Sequence, residues 1–230
     1  MSNIRIRCSA LGKIMTSPKT KGEVLSETAK TYIREVFLEL EFGIKKHFWS
    51  RYTDKGIRVE KDSIRLANKV LDWGLTDEII DGKQIYHENE WISGMTDVCT
   101  DWLLADVKSS WDGTTFPFFE SKMPSKDYYY QLQGYMWLTG HDEAILAYCL
   151  TDTPKDILDD EIRRELWKNK EIGQDEEIER YVTLKHSFDR IPIKNRVKAF
   201  TIKRDEAVFD AMKERIQLCR EYYDTLYDIL

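Results

Sequence analysis

At 230 residues, 42% hydrophobic and 12% aromatic, the chain has material for one substantial core, in one domain or one domain with an appended piece. Seven Trp and twelve Tyr exclude a disordered chain, and a formal net charge of -6 excludes a uniformly basic nucleic-acid-binding surface. The charge is uneven, however: residues 1–22 carry Arg5, Arg7, Lys13, Lys19 and Lys21 with no acid, whereas residues 152–179 carry eleven Asp and Glu against five Lys and Arg, a net equal to that of the whole chain.

No run of about 18 apolar residues occurs, and the stretch MSNIRIRCSALGK lacks the apolar h-region of a secretory signal. A cytosolic protein without membrane contact is expected. Cys8, Cys99, Cys149 and Cys219 form no CxxC pair, so their spacing indicates neither zinc nor a cysteine-ligated iron-sulfur cluster.

In chain order, SETAKTYIREVFLELEFGIKKHF has helical periodicity with Ser26 as N-cap, and the period returns from Thr53 to Trp73. From about Gln84 to Lys108 the pattern changes to short strands, QIYHE, EWISGMTDVC and WLLADVK, with a hairpin turn at Thr100 and Asp101. An aromatic stretch punctuated by Gly and Pro follows. A helix from about Lys126 to Thr139 then ends at Gly140, a suitable residue just past a helix end.

EAILAYCL reads as a further strand, residues 152–181 as an acidic, solvated, partly helical insertion, and RVKAFTIKR as a strand. The chain closes on an amphipathic helix over about 205–228, with Val208, Ala211, Met212, Ile216, Cys219, Tyr223 and Leu226 at helical spacing. Helices before and after a strand cluster imply an α/β fold with a central sheet covered on its faces.

The residues that carry chemistry are Glu60, Asp97, Asp106, Lys108 and Gln131. Cleaving a phosphodiester requires a nucleophilic water, charge stabilisation on the phosphate and help for the departing oxygen, all of which divalent metals held by carboxylates supply. Mg²⁺ prefers oxygen ligands and is commonly held by one or two carboxylates. Asp97 and Asp106 lie on adjacent strands of one hairpin, and alternation along a strand puts Asp106 and Lys108 on one face. On a continuous helix, Ile57 and Ile64 share the face of Glu60 and turn that carboxylate toward the apolar side, where it needs a metal, a cation or hydrogen bonds. Gln131, one turn before Tyr135, can hydrogen-bond a metal-bound water or a carboxylate.

A helix with Glu60, a strand with Asp97, a strand with Asp106-x-Lys108 and a helix with Gln131 and Tyr135 resemble, in that order, the PD-(D/E)xK nuclease superfamily. More narrowly the chain is similar to the lambda exonuclease and YqaJ viral recombinase group, from IRCSALGKIM near the start through YYYQLQGYMWLTG, the most specific match. The resemblance implies a central mixed β-sheet flanked by helices, the restriction-endonuclease-like core, in a single nuclease domain over residues 1–230. It implies metal ligation by Asp97, Asp106 and the Val107 carbonyl, a nucleophile positioned by Lys108, and a site completed by Glu60 and Gln131. Mg²⁺ is the implied cofactor, with Mn²⁺ able to substitute.

By the same resemblance the substrate is a double-stranded DNA end resected 5′ to 3′. The enzyme is a ring-shaped homotrimer, encoded by a phage or prophage and active in the bacterial cytoplasm, that passes the 3′ strand to a single-strand annealing protein. Two departures stand out: the first acidic motif reads Met95-Thr96-Asp97-Val98 rather than the Pro-Asp-Gly type, and the second carboxylate is Asp rather than the commoner Glu. The superfamily permits both. Rival readings are a RecB-like or Cas4-like nuclease, an endonuclease on the same core, or a catalytically silent DNA-binding relative.

At the substrate end, Ser9 reads as the cap of a helix starting at Ala10, beside Arg5, Arg7 and Lys13; a helix N-terminus with a hydroxyl and cations suits a phosphate. In the group it resembles, a serine and an arginine near this place bind the 5′ phosphate. Trp111, with Phe116, Phe118 and Phe119, follows Lys108 closely, where an exposed ring can stack on an unpaired base or wedge the duplex end. The alternative is that these rings pack against their own domain.

Overall fold

The computed structural model describes residues 2–46, 49–170 and 175–230. A short strand, β1 (Ile6–Arg7), leads through a 3-10 turn (Cys8–Ala10) into the single-turn helix α1 (Leu11–Ile14). Helix α2 (Glu27–Phe42) starts where the sequence indicates, because Ser26 Oγ accepts the Ala29 N–H at 3.0 Å. It stops at Gly43, whose φ of 66° reverses the chain without a Cβ penalty. The helix is thus shorter than its periodic sequence, whose last two residues, 47 and 48, lie outside the described residues.

The stretch from Thr53 to Trp73, expected as one helix, is two. α3 (Arg51–Arg58) is opened by a reciprocal capping box between Ser50 and Thr53, and α4 (Glu60–Leu71) starts afresh after Val59, whose φ of -106° and ψ of 10° break the helix. This moves Glu60 from mid-helix to a first turn. Ile57, expected to share its buried face, is 75% exposed, while Ile64 is buried. A single-turn helix, α5 (Asp77–Asp81), follows.

The strands are β2 (Ile85–Glu88), β3 (Ile92–Thr96), β4 (Val98–Cys99), β5 (Leu104–Ser109), β6 (Glu143–Cys149) and β7 (Val197–Lys203). They form two mixed sheets, ordered β1-β3-β2 and β4-β5-β6-β7. The sheets share one extended run, since β3 passes into β4 across a single bend at Asp97. The turn expected at Thr100 and Asp101 spans 100–103 and is closed by the Thr100 N–H to the Leu103 carbonyl. Strand β5 lies antiparallel to β4 and parallel to β6, with Asp106 beside Leu146 and Lys108 beside Tyr148. The parallel crossover between β5 and β6 is made by α6 (Lys126–Thr139), which ends at Gly140 with φ 80°, as its sequence indicates.

Alternation along β5 builds the layers. Leu104 joins the larger core, with Leu132 and Met136 of α6, Ile33 and Phe37 of α2, and the C-terminal helix α9 (Glu206–Thr225). Ala105 and Val107 face the opposite way, onto Ile64 and Ala67 of α4. Each fully buried Leu or Met contributes about 1.5–3 kcal/mol by leaving water. Helix α6 also packs tightly on the start of the chain: a Cβ on Gly134 would lie 2.5 Å from Leu11 Cδ1 and 3.0 Å from Cys8 Sγ. The absence of a side chain there sets the depth at which α6 sits.

The acidic segment is more ordered than a solvated insertion. It forms a helical pair, α7 (Lys155–Lys168) and α8 (Asp175–His186), that buries Ile157, Glu161, Val182 and His186; its residues 171–174 lie outside the described residues. Helix α9 is capped by Asp205, and its buried stripe is Phe209, Met212, Ile216, Cys219 and Tyr223. Phe209 replaces the expected Ala211, which is exposed. Among the described residues no helix is long and apolar enough to cross a membrane.

Candidate active site

The hairpin ladder pairs Val98 with Ala105 and Cys99 with Leu104. One step outward on the same register, Asp97 faces Asp106. The ladder stops there because the Asp97 side chain takes over the role of a strand carbonyl: its Oδ2 accepts the Val107 N–H at 2.8 Å. Asp97 is half-buried. Burial and the neighbouring Asp106 charge push its carboxyl up to about 7, against the opposing pull of Lys108.

Asp106 is 1% exposed. Its Oδ1 accepts from Gln131 Nε2 at 3.1 Å, and the same Gln131 amide donates to the Tyr135 hydroxyl at 2.8 Å, so α6 holds the carboxylate through a side-chain relay. Its Oδ2 is sealed from solvent. The Lys108 ammonium faces that oxygen at 2.5 Å. Burial alone would lower the Lys108 pKa, but the charges of Asp106 and Asp97 outweigh it and hold the group above the ordinary lysine range. The ammonium also lies 5.3 Å from the centre of the Tyr128 ring.

Glu60, at the head of α4, reaches the same place from the other side of the sheet. Gln84 Nε2 donates to Glu60 Oε1 at 2.9 Å and to Asp97 Oδ1 at 3.3 Å, bridging the two carboxylates. Burial raises the Glu60 carboxyl and Lys108 opposes the rise. Glu60 and Asp97 lie between two hollows: a cavity of about 290 Å³, and a cleft of about 500 Å³ whose walls include Lys108, Ser110, Trp111, Tyr52 and Tyr148. Among the described residues no set of three His, Cys, Asp or Glu side chains converges as a ready-made metal cluster. The anionic centre is the facing Asp97 and Asp106, with Glu60 one amide away.

Three of these participants are not evident from the motif. Gln84 carries no local signal, since it reads only as the start of a strand. Tyr128 was open to detection, because it lies at i-3 from Gln131 on one face of α6. Lys55, wholly buried, donates from Nζ to the carbonyls of Ser110 at 2.9 Å and Trp111 at 2.8 Å, anchoring the chain just beyond Lys108; helical spacing alone marks it as a solvated lysine.

The residues read as a phosphate site are arranged differently from the expectation. Ser9 lies within the 3-10 turn and caps nothing; α1 begins at Leu11 with Ala10 at the capping position and no side-chain bond. Ser9 is exposed. Arg7 pairs with Glu39 at 2.6 Å and Arg5 with Glu88 at 3.1 Å, and Lys13 lies 5.6 Å from the Tyr32 ring centre. Trp111 is half-buried, packed edge-on against Tyr52 and His186 at 4.8 and 5.0 Å. Phe116 is buried, whereas Phe119 is 95% exposed. The four cysteines are free thiols, three of them buried.

No family model matches the chain, and no curated sequence matches it significantly. Among solved structures, it is similar to a phage-related exonuclease from Haemophilus somnus 129PT, at 29% identity over 99% of this chain and 96% of that one, with a TM-score of 0.76. The alkaline exonuclease LHK-Exo of Laribacter hongkongensis shares the fold at 13% identity, covering 98% of this chain and 90% of its own, with a TM-score of 0.65, and at 0.61 in its complex with dAMP. The likeness runs across nearly the whole of both chains and embraces the helix, hairpin and crossover helix on which the motif residues sit. By that full-length correspondence the chain is similar to phage-related and alkaline exonucleases, a likeness that fits the lambda-exonuclease-like group.

Proposed function

We propose that this chain is a Mg²⁺-dependent DNA exonuclease, with Mn²⁺ able to substitute, that hydrolyses phosphodiesters from duplex ends in the 5′-to-3′ direction during phage-type recombination. The observation that carries the reading is the convergence of Asp97, Asp106 and Lys108 on the β4–β5 hairpin, with Asp97 and Lys108 lining a cleft of about 500 Å³ and Asp106 buried behind them, on a fold matched over 99% of its length by an exonuclease.

The donor set fits a hard divalent cation. Two facing carboxylates that repel one another share the single Lys108 ammonium, which leaves net negative charge for a cation to offset, and oxygen ligands are what Mg²⁺ prefers. Asp97, Asp106 and the Val107 carbonyl would hold the ion, with Glu60 as a further oxygen. When bound, it would activate water and neutralise charge at the phosphate.

The chain's own groups then have distinct tasks. Lys108, kept cationic by Asp106 and Asp97, supplies a fixed positive charge to a phosphate oxygen or to the attacking water. Gln131 fixes the rotamer of Asp106 and is itself fixed by Tyr135; Gln84 sets the spacing of Glu60 and Asp97. At the substrate end, exposed Ser9 and Lys13 are the free donors for a 5′ phosphate, and Arg5 and Arg7 contribute only on leaving Glu88 and Glu39. A homotrimeric ring in the bacterial cytoplasm, handing the 3′ strand to an annealing protein, completes the reading.

Linear duplexes labelled at each end, with and without 5′ phosphate, incubated with Mg²⁺ beside a covalently closed circle, test it. The reading expects loss of the 5′ label first, faster with phosphate, and an intact circle. Cutting of the circle would assign an endonuclease; no cutting of any substrate would overturn the enzyme.

A further inference from the structure

We propose that a groove between the start of α3 and one face of α7 binds unpaired, single-stranded DNA leaving the active cleft, by stacking a base on Trp167 beside Arg164. The inference rests on the nuclease reading for its substrate class. Its evidence lies outside the carboxylate site.

The groove has a volume of about 570 Å³ and is lined by Arg51, Asp160, Arg163, Arg164, Trp167 and Lys168. The last five recur at helical spacing along α7, so they form one stripe. In a segment whose composition is acidic, this stripe is cationic and aromatic. Trp167 is 74% exposed, an indole face left open to water on a helix that buries other side chains.

The acids of α7 do not cancel the stripe; they orient it. Glu161 pairs with Arg51, Asp160 with Arg163, and Glu165 with Lys168 at 2.6 Å. Asp156 is engaged elsewhere, with Arg58 at 2.6 Å. Arg164 is exposed and has no ion pair among the described residues, so it is the cation available to a phosphate.

The groove is also joined to the cleft. The Arg51 guanidinium lies over the Tyr52 ring at 5.1 Å and over the Trp111 ring at 5.3 Å, and both rings line the cleft that holds Lys108. Rings and cations therefore alternate from Trp111 through Arg51 to Trp167. Aromatic platforms interleaved with cations are how proteins track a single strand without reading its sequence, because every base presents a π-face. A duplex hides those faces in its own stack, so the exposed indole selects the unpaired strand.

The test uses the full chain in metal-free buffer with EDTA, where no strand is cut. Fluorescence anisotropy would measure binding of a thymidine oligonucleotide of about 15 nucleotides and of a blunt duplex of equal length. Trp167→Ala should weaken single-strand binding about tenfold or more, the weight of a lost stacked base, with Trp167→Phe keeping most of the affinity. Arg164→Gln should reduce the slope of log affinity on log salt by about 0.7. Unchanged single-strand affinity in Trp167→Ala, or an equal loss for the blunt duplex, would overturn the inference. Cleavage of end-labelled duplex by the wild-type protein with Mg²⁺ is read separately, so failure of the nuclease assignment shows there, independently of the binding result.

Discussion

The backbone N–H of Val107 donates to Oδ2 of Asp97 at 2.8 Å, so the strand carrying Asp106 and Lys108 is latched by the carboxylate that faces them. Two acids are held together by a bond that neither sheet supplies. The repulsion this creates is visible in Asp97, raised to about 7 by burial and by Asp106.

Asp97→Asn keeps an oxygen for the Val107 N–H and removes the repulsion. The metal-free protein should gain on the order of 1 kcal/mol in stability, while DNA cleavage falls at least about a hundredfold, more than the loss of an outer-shell partner costs. Thermal melts in EDTA and end-labelled cleavage assays check both halves. A variant less stable than wild type, or fully active, would contradict the account.

Gln131→Leu strips Asp106 Oδ1 of its amide and leaves the Tyr135 hydroxyl without its donor. A stability cost of about 1–3 kcal/mol and a fall in single-turnover cleavage of about 10–100-fold are expected. Tyr135→Phe preserves the amide's bond to Asp106 and should lose much less activity. Equal losses in the two variants would show that the relay does not run through Gln131.

Lys55 is wholly buried against two carbonyls, and burial lowers it from 10.5 to about 8, against the charges of Asp112 and Asp152. Between pH 8 and 10.5 the unfolded chain holds more protons than the folded one at this residue, so its contribution to stability rises with pH across that window, by up to about 3 kcal/mol. Lys55→Met should remove that rise and loosen the Ser110–Trp111 turn. Urea melts at about pH 8 and about pH 10.5, the edges of the window, would show the same change in both proteins if the residue were not so buried.

His186 is 1% exposed, with Nδ1 on Thr153 Oγ1 at 2.9 Å. Burial, assisted by Lys55, lowers it from 6.5 to about 4. A histidine depressed in the folded state contributes its full stability above pH 6.5 and loses it as pH falls toward 4, by up to about 3 kcal/mol. His186→Gln should be less stable than wild type at neutral pH and flatter in acid. An acid limb identical in both proteins would assign the loss to carboxylates instead.

Much of this architecture is legible locally. Ser26 and Gly43 bracket α2, and Gly140 ends α6, because caps and left-handed glycines act within one turn of the chain. The alternation of β5 likewise puts Asp106 and Lys108 on one face whatever surrounds them. The break at Val59 is less visible. Apolar spacing continues through it, and only the packing of Lys55 and Val59 into the interior while Ile57 turns outward requires two helices.

Caps, strand alternation and the order Glu60, Asp97, Asp106, Lys108, Gln131 are properties of short stretches of chain, and so were written in the sequence. Which of these groups touch was not. Gln84 between Glu60 and Asp97, the Gln131 amide on Asp106, the engagement of Arg5 and Arg7 by Glu88 and Glu39, and the meeting of Arg51 with Trp111 and α7 all join residues distant in the chain. Hydrogen bonds and charge pairs act over a few ångströms of space, and only the folded packing of sheet and helices brings those partners within range.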